Sequence, residues 1–402
     1  MKSYADLLRT PGVGRIISAQ LLARFPNGML SLAFLLHIEQ VHHSYAAAGL
    51  VLAATSAGQA VAGPLTSRWM GAWSMRPVLV LTTVVCAAGI FTMAFVPMSV
   101  PMYMVVGLVC GLSSPPVQPA VRTIYPKMVN STQLTPLFSL DASAQEIIWI
   151  AGPVITTFLA TQVSTTVAIV AAGLFLVGGG AWFILSPEVG RVRIPRSKRK
   201  FGTVLRRPPV LLATITGFLL VGSCAAVEAG VVAVFGHGGP EAGIVLAIWA
   251  IGSIIGGLGL GHLPIGPWAL ARRMLLVFVG LALAMAVLDF WWLAVTLLIA
   301  GAGIAPALAV IFAIVSSSVK FSDTAEAYGW VGTGQLIGAA LGSAAAGFLI
   351  DANGAIGGFI AAAVLAAVGV LVPTVLRGWH PDLRGRDASP IPDTEPVAVQ
   401  PS

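Results

Sequence analysis

Four ionisable residues lie deep inside long apolar stretches of this 402-residue chain: Arg24, Asp141, Glu146 and Glu228. A charge at the centre of a bilayer costs at least about 2.5–3.5 kcal/mol, so each residue needs a partner or a water-filled cavity. A buried arginine can bind an anionic group, and a buried carboxyl group can take up and release a proton. These residues therefore suggest ion pairing and proton transfer.

Arg24 lies about 18 Å into the first apolar stretch, at roughly 1.5 Å per helical residue. It is followed by Pro26, which frees backbone groups, and by Asn27, which adds a polar side chain. In one interpretation Arg24 faces a cavity, where it binds an anionic substrate group or controls the protonation of a carboxylate. In the other, it forms a fixed ion pair between helices.

Two acids lie in the fifth stretch. Asp141, Gln145 and Trp149 have i, i+4, i+8 spacing and therefore share one helix face. Glu146 is rotated from Asp141 by about 140°, so we expect one acid to face a cavity and the other a neighbouring helix. Each is either a protonatable carboxyl group for transport or a neutral or paired structural acid.

The second half of the chain adds further candidates. Glu228, towards the outer side of the seventh stretch, is a second proton or substrate site or an acid at an outer gate. Gln335 occupies the repeat-equivalent position of Gln145, and the two amides are expected to face each other across a central cavity. Aromatic residues would complete an amphipathic pocket there: Phe25, Trp149, Tyr328 and Trp330. The alternative for this set is ordinary helix packing.

Membrane-spanning helices must position these residues. The chain is 57% apolar and 9% charged, with mean hydropathy +0.91, whereas about a quarter of the residues in a soluble domain are charged. A spanning helix needs roughly 20 apolar residues. Twelve stretches meet this requirement, at about residues 12–38, 43–66, 77–97, 101–124, 133–160, 164–186, 209–236, 240–263, 273–290, 291–317, 324–350 and 355–377.

Basic residues indicate the orientation of these spans. Of 22 Lys and Arg residues, 21 lie in alternate gaps, and Arg24 is the exception. Cationic loops stay in the cytoplasm, so both termini are expected there, in a multi-pass protein of the plasma membrane (the bacterial inner membrane). Arg122 belongs to the fourth gap on this pattern. Glu326, at the start of the eleventh stretch, fits the preference of a helix N-terminus for an acid.

The chain divides into two related halves. Residues 8–13 align with 205–210 at an offset of 197, and Gln145 aligns with Gln335 at an offset of 190. We predict an all-α polytopic membrane protein with twelve transmembrane helices in two pseudo-symmetric six-helix bundles. Its parts are an N-terminal bundle at 1–186, a basic cytoplasmic linker at 187–207, a C-terminal bundle at 208–377 and a disordered tail at 378–402.

Several functional classes are disfavoured. The six His residues are scattered, the three Cys residues lie inside spans, and no catalytic or metal-ligand spacing occurs. We therefore expect neither an enzyme nor a metal or other cofactor. Orientation in the membrane and anionic headgroups explain the pI near 9.7, so nucleic acid is not an expected partner. The expected partners are a small-molecule substrate, protons and the lipid bilayer, and we expect a monomer.

The loop after the second stretch carries the clearest motif. Gly63, Leu65, Arg68 and Gly71, with Arg76 further on, fit approximately the pattern Gly-x-Leu-x-Asp-Arg-x-Gly-x-x-x-Arg, with Gly71 one residue later than in the pattern. By this motif, the number of spans and the central linker, the chain resembles the major facilitator superfamily. The resemblance implies two bundles that rock about a central site and expose it alternately, with this loop motif at the gate.

Other residues refine the resemblance. Ser67 replaces the acid that pairs across the cytoplasmic gate in the family. Gly152-Pro153 resembles the core of the motif of bacterial efflux-type antiporters, but Gly107 stands where drug/proton antiporters often carry an arginine. The resemblance implies a secondary active transporter, with proton-coupled export of a small amphipathic drug or metabolite.

The predicted mechanism is a competition. Protonation of Glu146 or Asp141 would weaken its pairing with Arg24, and substrate binding would be linked to deprotonation. No nucleotide-binding loop occurs in the sequence, so ATP is not the expected direct driver. The alternative transporter is an importer or facilitator of a sugar or other metabolite. The alternative from another class is a non-transporting membrane receptor or enzyme.

Overall fold

A computed structural model describes residues 2–236 and 240–393, and nearly all of these residues are helical. Twelve spans follow one another along the chain. They are α1 Val13–His42, α2 Tyr45–Trp73, α3 Met75–Phe95, α4 Val100–Lys127, α5 Ser131–Gln162, α6 Thr165–Leu185, α7 Pro208–Phe235, α8 Glu241–Leu260, α9 Ala269–Ala284, α10 Phe290–Ser318, α11 Phe321–Asn353 and α12 Ile356–Val375.

The predicted all-α class is confirmed. Within the described residues, eleven spans are long and apolar enough to cross a membrane, and α9, with 16 residues, holds the ninth position. The ninth span was predicted at 273–290, whereas the helix is Ala269–Ala284. The start of the apolar stretch missed its first turns, because these include two arginines. Arg272 is exposed there, whereas Arg273 is buried against the rest of the bundle.

The same helix pairs pack in each half. In the first half α1 packs on α5 and α6, α2 on α4, and α3 on α4 and α6. In the second half α7 packs on α11 and α12, α8 on α10, and α9 on α10 and α12. Adding six to each helix number in the first-half pairs gives the second-half pairs. The two halves therefore share one packing scheme, as the internal repeat predicted.

Four spans are interrupted along their length. The interruptions lie at Phe25 in α1, residues 113–116 in α4, Gln145 in α5 and residues 302–303 in α10. In α1 the second segment opens with Pro26, whose ring removes a backbone donor. An interruption frees backbone groups and brings polar side chains to mid-span. The breaks in α1 and α5 lie beside two predicted site residues, Arg24 and Gln145.

Two glycine contacts set the distances between spans. A Cβ atom on Gly152 of α5 would lie 2.8 Å from the carbonyl carbon of Gly28 in α1. A Cβ atom on Gly329 of α11 would lie 2.6 Å from the carbonyl oxygen of Gly63 in α2. Glycine lets two helix backbones approach this closely. The second contact joins the two halves of the molecule.

The connection between the halves, at residues 192–207, runs along one end of the bundle, which we call the basic end; the opposite end is the far end. The tail also packs at the basic end. Leu383 N–H donates to the Ile265 carbonyl at 2.9 Å, and Ile391 N–H donates to the Val319 carbonyl at 2.9 Å. The predicted disorder of residues 378–402 thus differs from the packed path of residues 378–393; residues 394–402 lie outside the described residues.

Candidate substrate and proton site

Arg24 lies at the centre of a buried polar network in the first half. Its guanidinium donates to Gln20 Oε1, one turn earlier in α1, at 2.8 Å and to Gln145 Oε1, at the break in α5, at 3.0 Å. Its nearest carboxylate oxygen belongs to Asp141, at 3.8 Å. Arg24 therefore bonds chiefly to neutral amides, and its charge is only partly neutralised by direct contact.

Asp141 is the anion of this network. Its Oδ1 accepts from Gln20 Nε2 at 3.0 Å and from the Tyr125 hydroxyl at 3.1 Å, and its Oδ2 accepts from Arg122 Nε at 3.2 Å. These donors come from α1 and α4, so the network links three spans of one half. Two arginines share one carboxylate, and the cluster carries a net charge of +1.

The prediction that Arg122 belongs to a loop is wrong. Its side chain is 1% exposed inside α4, and its guanidinium lies 3.3 Å from the ring centroid of Phe312 in α10. A guanidinium over an aromatic face is attracted to it electrostatically. Charge alternation gave no signal for this role, because an arginine near the end of a span resembles one in a loop.

Glu146 lies outside the arginine network, contrary to the pairing with Arg24 that one form of the predicted mechanism required. Its Oε1 accepts from the Ser253 hydroxyl of α8 at 3.0 Å, so its contact is with the second half. In the second half, Cys224 and Glu228 lie one turn apart on α7. α7 packs on α8, the helix that carries Ser253.

Trp149 faces the interior of the bundle and is 54% exposed. On α5, Ile147, Val154 and Phe158 form an exposed apolar stripe on the outer side. At 100° per residue, Trp149 projects about 140–180° away from that stripe. Its exposed surface therefore borders a water-accessible cleft between the halves.

Asn27 of α1 and Glu228 of α7 are polar residues of the two halves. Both side chains are exposed, and Asn27 directly follows the break in α1. No large apolar side chain of α7, which is described along its whole length, is exposed, so the exposed side of α7 does not present a lipid-facing stripe. Glu228 lines an open surface depression with Ala225 and Val232 of α7 and Ser343 of α11.

The other predicted pocket residues lie apart. The Tyr328 hydroxyl donates to the Phe312 carbonyl at 2.9 Å in a buried aromatic cluster. Trp330 packs on Phe201 of the linker, with ring centroids 5.6 Å apart. Gln335 lies beside Gly217 of α7, just as Gln145 lies beside α1. Each glutamine thus contacts the first helix of its own half, because α5 and α11 turn these faces inward to their own bundles.

The loop motif forms an ion-paired contact between the halves at the basic end. Arg68 of α2 donates to Glu326 Oε2 of α11 at 2.5 Å, and Gly202 N–H of the linker donates to Glu326 Oε1 at 2.8 Å. Ser67 donates to the Gly63 carbonyl of its own helix. Glu326 thus pairs across the halves, which helix-end electrostatics did not predict, and it compensates for the missing acid at Ser67.

The rest of the motif holds the linker and the neighbouring turn. Gly71 lies against the Pro195 carbonyl, and Arg76 donates to the carbonyls of Ile184 at 3.1 Å and Ser186 at 3.3 Å. Ile184 lies in the last turn of α6, and Ser186 directly follows that helix. The motif therefore fixes the path along which the linker leaves the first half.

The halves meet mainly at the basic end. There α5 packs on α8 and α10, and the Ser139 hydroxyl donates to the Gly257 carbonyl at 2.6 Å. Phe138 of α5 packs edge-on against Phe312 of α10. At the far end, the second segment of α1 packs on α2, α5 and α6, and α7 is not among its packed neighbours in the described residues. The cleft is closed at the basic end and open at the far end.

Comparison with known proteins identifies the class. The sequence profile of the Major Facilitator Superfamily matches residues 16–288 and 235–399. The chain therefore belongs to the major facilitator superfamily, as its sequence predicted; it is a multi-pass membrane protein with the fold of a secondary transporter. A search of curated proteins returned no match.

Two solved structures share the fold. The human organic anion transporter MFSD10 (TETRAN) has 15% identity and a TM-score of 0.68, over 90% of this chain and 100% of that chain. A bacterial homologue of the iron transporter ferroportin, in an outward-facing state, has 12% identity and a TM-score of 0.70, over 91% and 99%. At these identities the likeness concerns the fold alone.

Proposed function

We propose that this protein exports a small amphipathic organic compound in exchange for protons, by alternating access. The observation that carries the proposal is Glu146, a buried acid of the first half that accepts a hydrogen bond from Ser253 of the second half at 3.0 Å, beside a cleft open to one side. An acid that lies between two moving halves can bind a proton on one side of the membrane and release it on the other. The basic end is cytoplasmic in this proposal, and the transporter is a monomer of the bacterial inner membrane.

The open far end corresponds to the outward-facing state. Arg68–Glu326 and the contact of Gly63 with Gly329 hold the opposite end shut. In the exchange cycle, these contacts separate and the cleft closes at the far end. The shape agrees with the state printed for the ferroportin homologue.

The exposed side chains favour an amphipathic substrate. Trp149 offers a broad apolar and aromatic surface, Glu228 offers a carboxylate, and Asn27 offers an amide. A cationic group is attracted both to a carboxylate and to an indole face. Such a substrate competes with protons for the acids, because a carboxyl group that holds a proton no longer attracts a cation. Mutual exclusion of this kind is what exchange requires.

The arginine cluster favours a second candidate, the uptake of an anionic metabolite together with protons. Arg24 and Arg122 share a single carboxylate, so an anion near Arg24 would compensate a buried positive charge. Protonation of nearby acids would strengthen anion binding, and the two ligands would then travel in the same direction. MFSD10 is described as an organic anion transporter.

Proteoliposomes test both candidates. We expect rhodamine 6G, an amphipathic cation, to move against a pH gradient while internal pyranine reports proton flux in the opposite direction. Glu146→Gln and Glu228→Gln should each reduce the proton-linked flux at least tenfold. Glu241→Gln is the control, since Glu241 is exposed at the start of α8. Unchanged pH dependence in both Glu146→Gln and Glu228→Gln would refute the proton site, and proton movement alongside fluorescein, an organic anion, would establish the second candidate instead.

A further inference from the structure

Ser253 lies where α5, α8 and α10 meet. Its hydroxyl donates to Glu146 Oε1 at 3.0 Å, and its oxygen accepts from the Ala305 backbone N–H at 3.2 Å. Ser253 is fully buried, and Glu146 is 9% exposed. One hydroxyl group thus connects a carboxyl group of the first half to the backbone of a helix in the second half.

Ala305 is the second residue of the α10 segment Ile304–Ser318, which begins directly after the break. Backbone N–H groups in the first turn of a helix have no partner within that helix, and this end of the helix carries a partial positive charge. A hydroxyl whose oxygen accepts from such a group is polarised and becomes a better donor to a carboxylate. The partial positive charge at the start of this helix segment therefore acts on Glu146 through the Ser253 hydroxyl.

The helix that carries Ser253, α8, packs against both of the helices that this hydroxyl connects. α8 packs on both segments of α10 and on both segments of α5. A change at Ser253 consequently acts on the break in α10 and on the boundary between the halves. α10 corresponds to α4 in the other half, which is also interrupted.

We propose that Ser253 is a positioning residue that couples the charge state of Glu146 to the break in α10. This inference rests on the proposed function, in which Glu146 carries a coupling proton. While Glu146 is ionised, the hydroxyl is held between the carboxylate and the Ala305 amide. A proton taken from water in the cleft removes the negative charge, the hydrogen bond weakens, and the junction of α5, α8 and α10 loosens.

Few ionisable groups lie on the helices around Glu146. On α7 they are Cys224 and Glu228. The sequence of α10 contains no Asp, Glu, Lys, Arg or His, and α8 contains only Glu241, at its far end. On α5 itself, Asp141 is bonded to Arg122. The α1 cation, Arg24, interacts with that same acid. Among the described residues, the Ser253 hydroxyl is thus the hydrogen-bond donor that is directly affected when Glu146 gains or loses a proton.

Carbodiimide labelling tests the coupling without a known substrate. Dicyclohexylcarbodiimide modifies protonated carboxyl groups in apolar surroundings, and mass spectrometry of the full-length protein in liposomes gives the pH of half-labelling at Glu146. Ser253→Ala should raise that pH by about one unit, because the ionised form loses a hydrogen bond worth about a tenfold change in equilibrium. Ser253→Thr keeps the hydroxyl and should restore the original value.

Ser223→Ala is the matched control. Ser223 is also fully buried, but its hydroxyl bonds within its own helix, to the Leu220 carbonyl, so the half-labelling pH of Glu146 should not move. Hydrogen exchange of the peptide at residues 302–308, corrected for intrinsic rates, gives the second measurement. We expect it to accelerate in the natural protein as Glu146 is protonated, and to be fast and independent of pH in Ser253→Ala.

The outcomes separate the two proposals. If Glu146 shows no titration in the natural protein, the proposed proton site is wrong. If Glu146 titrates but Ser253→Ala leaves both the half-labelling pH and the exchange of 302–308 unchanged, the role of Ser253 alone is overturned. A shift in labelling without any change in exchange would also overturn the coupling to α10.

Discussion

At the scale of single residues, Asp141 holds the first half together. Replacing it with Asn leaves two buried guanidinium groups without a carboxylate. Breaking a buried ion pair by removing one partner costs about 3–5 kcal/mol, so we expect Asp141→Asn to lower the free energy of unfolding by that amount. Unfolding in detergent, followed by circular dichroism, measures it. Asp351→Asn, at an exposed far-end position, should have no comparable effect, and an equal effect would contradict the role of Asp141.

The two arginines should differ in their contributions. Arg122 donates to Asp141 at 3.2 Å and lies on Phe312, whereas Arg24 approaches Asp141 only to 3.8 Å. We expect Arg122→Gln to destabilise the protein by about 1–2 kcal/mol more than Arg24→Gln, given the ordinary size of charged hydrogen bonds and cation–π contacts. The same unfolding assay compares them. If Arg24→Gln destabilised the protein more than Arg122→Gln, Arg24 would be the more important partner of Asp141 for stability.

For single residues, the sequence predicts which side chains are costly to bury in the membrane, but not which of them contact each other. Arg24, Asp141 and Glu146 stand out because a charge inside an apolar stretch needs an explanation. Arg122 does not, since it lies near the end of a span. The separate directions of Asp141 and Glu146 follow from helical spacing, but their partners depend on how each helix is rotated, which hydropathy does not determine.

At the scale of helices, the contact between α2 and α11 is the proposed gate. A side chain at Gly329 would collide with the backbone of Gly63, whereas a Cβ atom at Gly332 meets nothing within 4 Å. We expect Gly329→Leu to wedge the basic end open and Gly332→Leu to leave it closed. Maleimide labelling of Ser67→Cys, in a background without the native cysteines, reports the opening, because Ser67 is buried under the gate. Equal labelling in both leucine variants would contradict the wedge.

The interruptions of the helices could be predicted only in part. Pro26 marks the break in α1, because proline removes a backbone hydrogen bond. The break at Gln145 has no proline beside it, since Pro153 lies two turns later and inside a continuous segment. There Gln145 bonds to Arg24 of α1, and a contact between two spans cannot be read from the sequence of one span.

At the scale of the whole molecule, the tail is a part of the basic end whose packing should respond to pH. Burial lowers the pKa of His380 below its usual value near 6.5, so His380 stays neutral while the tail is packed. A detached tail binds a proton more readily, and packing is therefore lost as the pH falls below about 6.5. We expect faster hydrogen exchange at Leu383 and Ile391 at pH 5.5 than at 7.5, after correction for intrinsic rates.

His380→Gln should remove this pH dependence, because glutamine does not titrate. His43→Gln is a suitable control, since His43 is exposed at the far end and its loss should leave the response of the tail unchanged. A tail whose exchange is the same at both pH values in the natural protein would show that His380 does not govern its packing.

The general plan of the molecule is the part that the sequence predicts best. Apolar stretches and alternating charge gave twelve spans, and the repeat between Gln145 and Gln335 gave two related halves. Those signals are strong because lipid demands long helices and basic loops select one side. The path of the tail was not predicted, because a segment poor in apolar residues can still be ordered by backbone bonds to loops already in place.

The unequal charge of the arginine cluster has an electrical consequence. Arg24, Arg122 and Asp141 together hold one excess positive charge within the first half, inside the region where the membrane potential falls. Moving one elementary charge through the full potential changes the energy by about 2.3 kcal/mol per 100 mV. When the halves rock, this charge moves with its bundle through a fraction of that field. The equilibrium between the two open states should therefore depend on voltage, even for an exchange that carries no net charge.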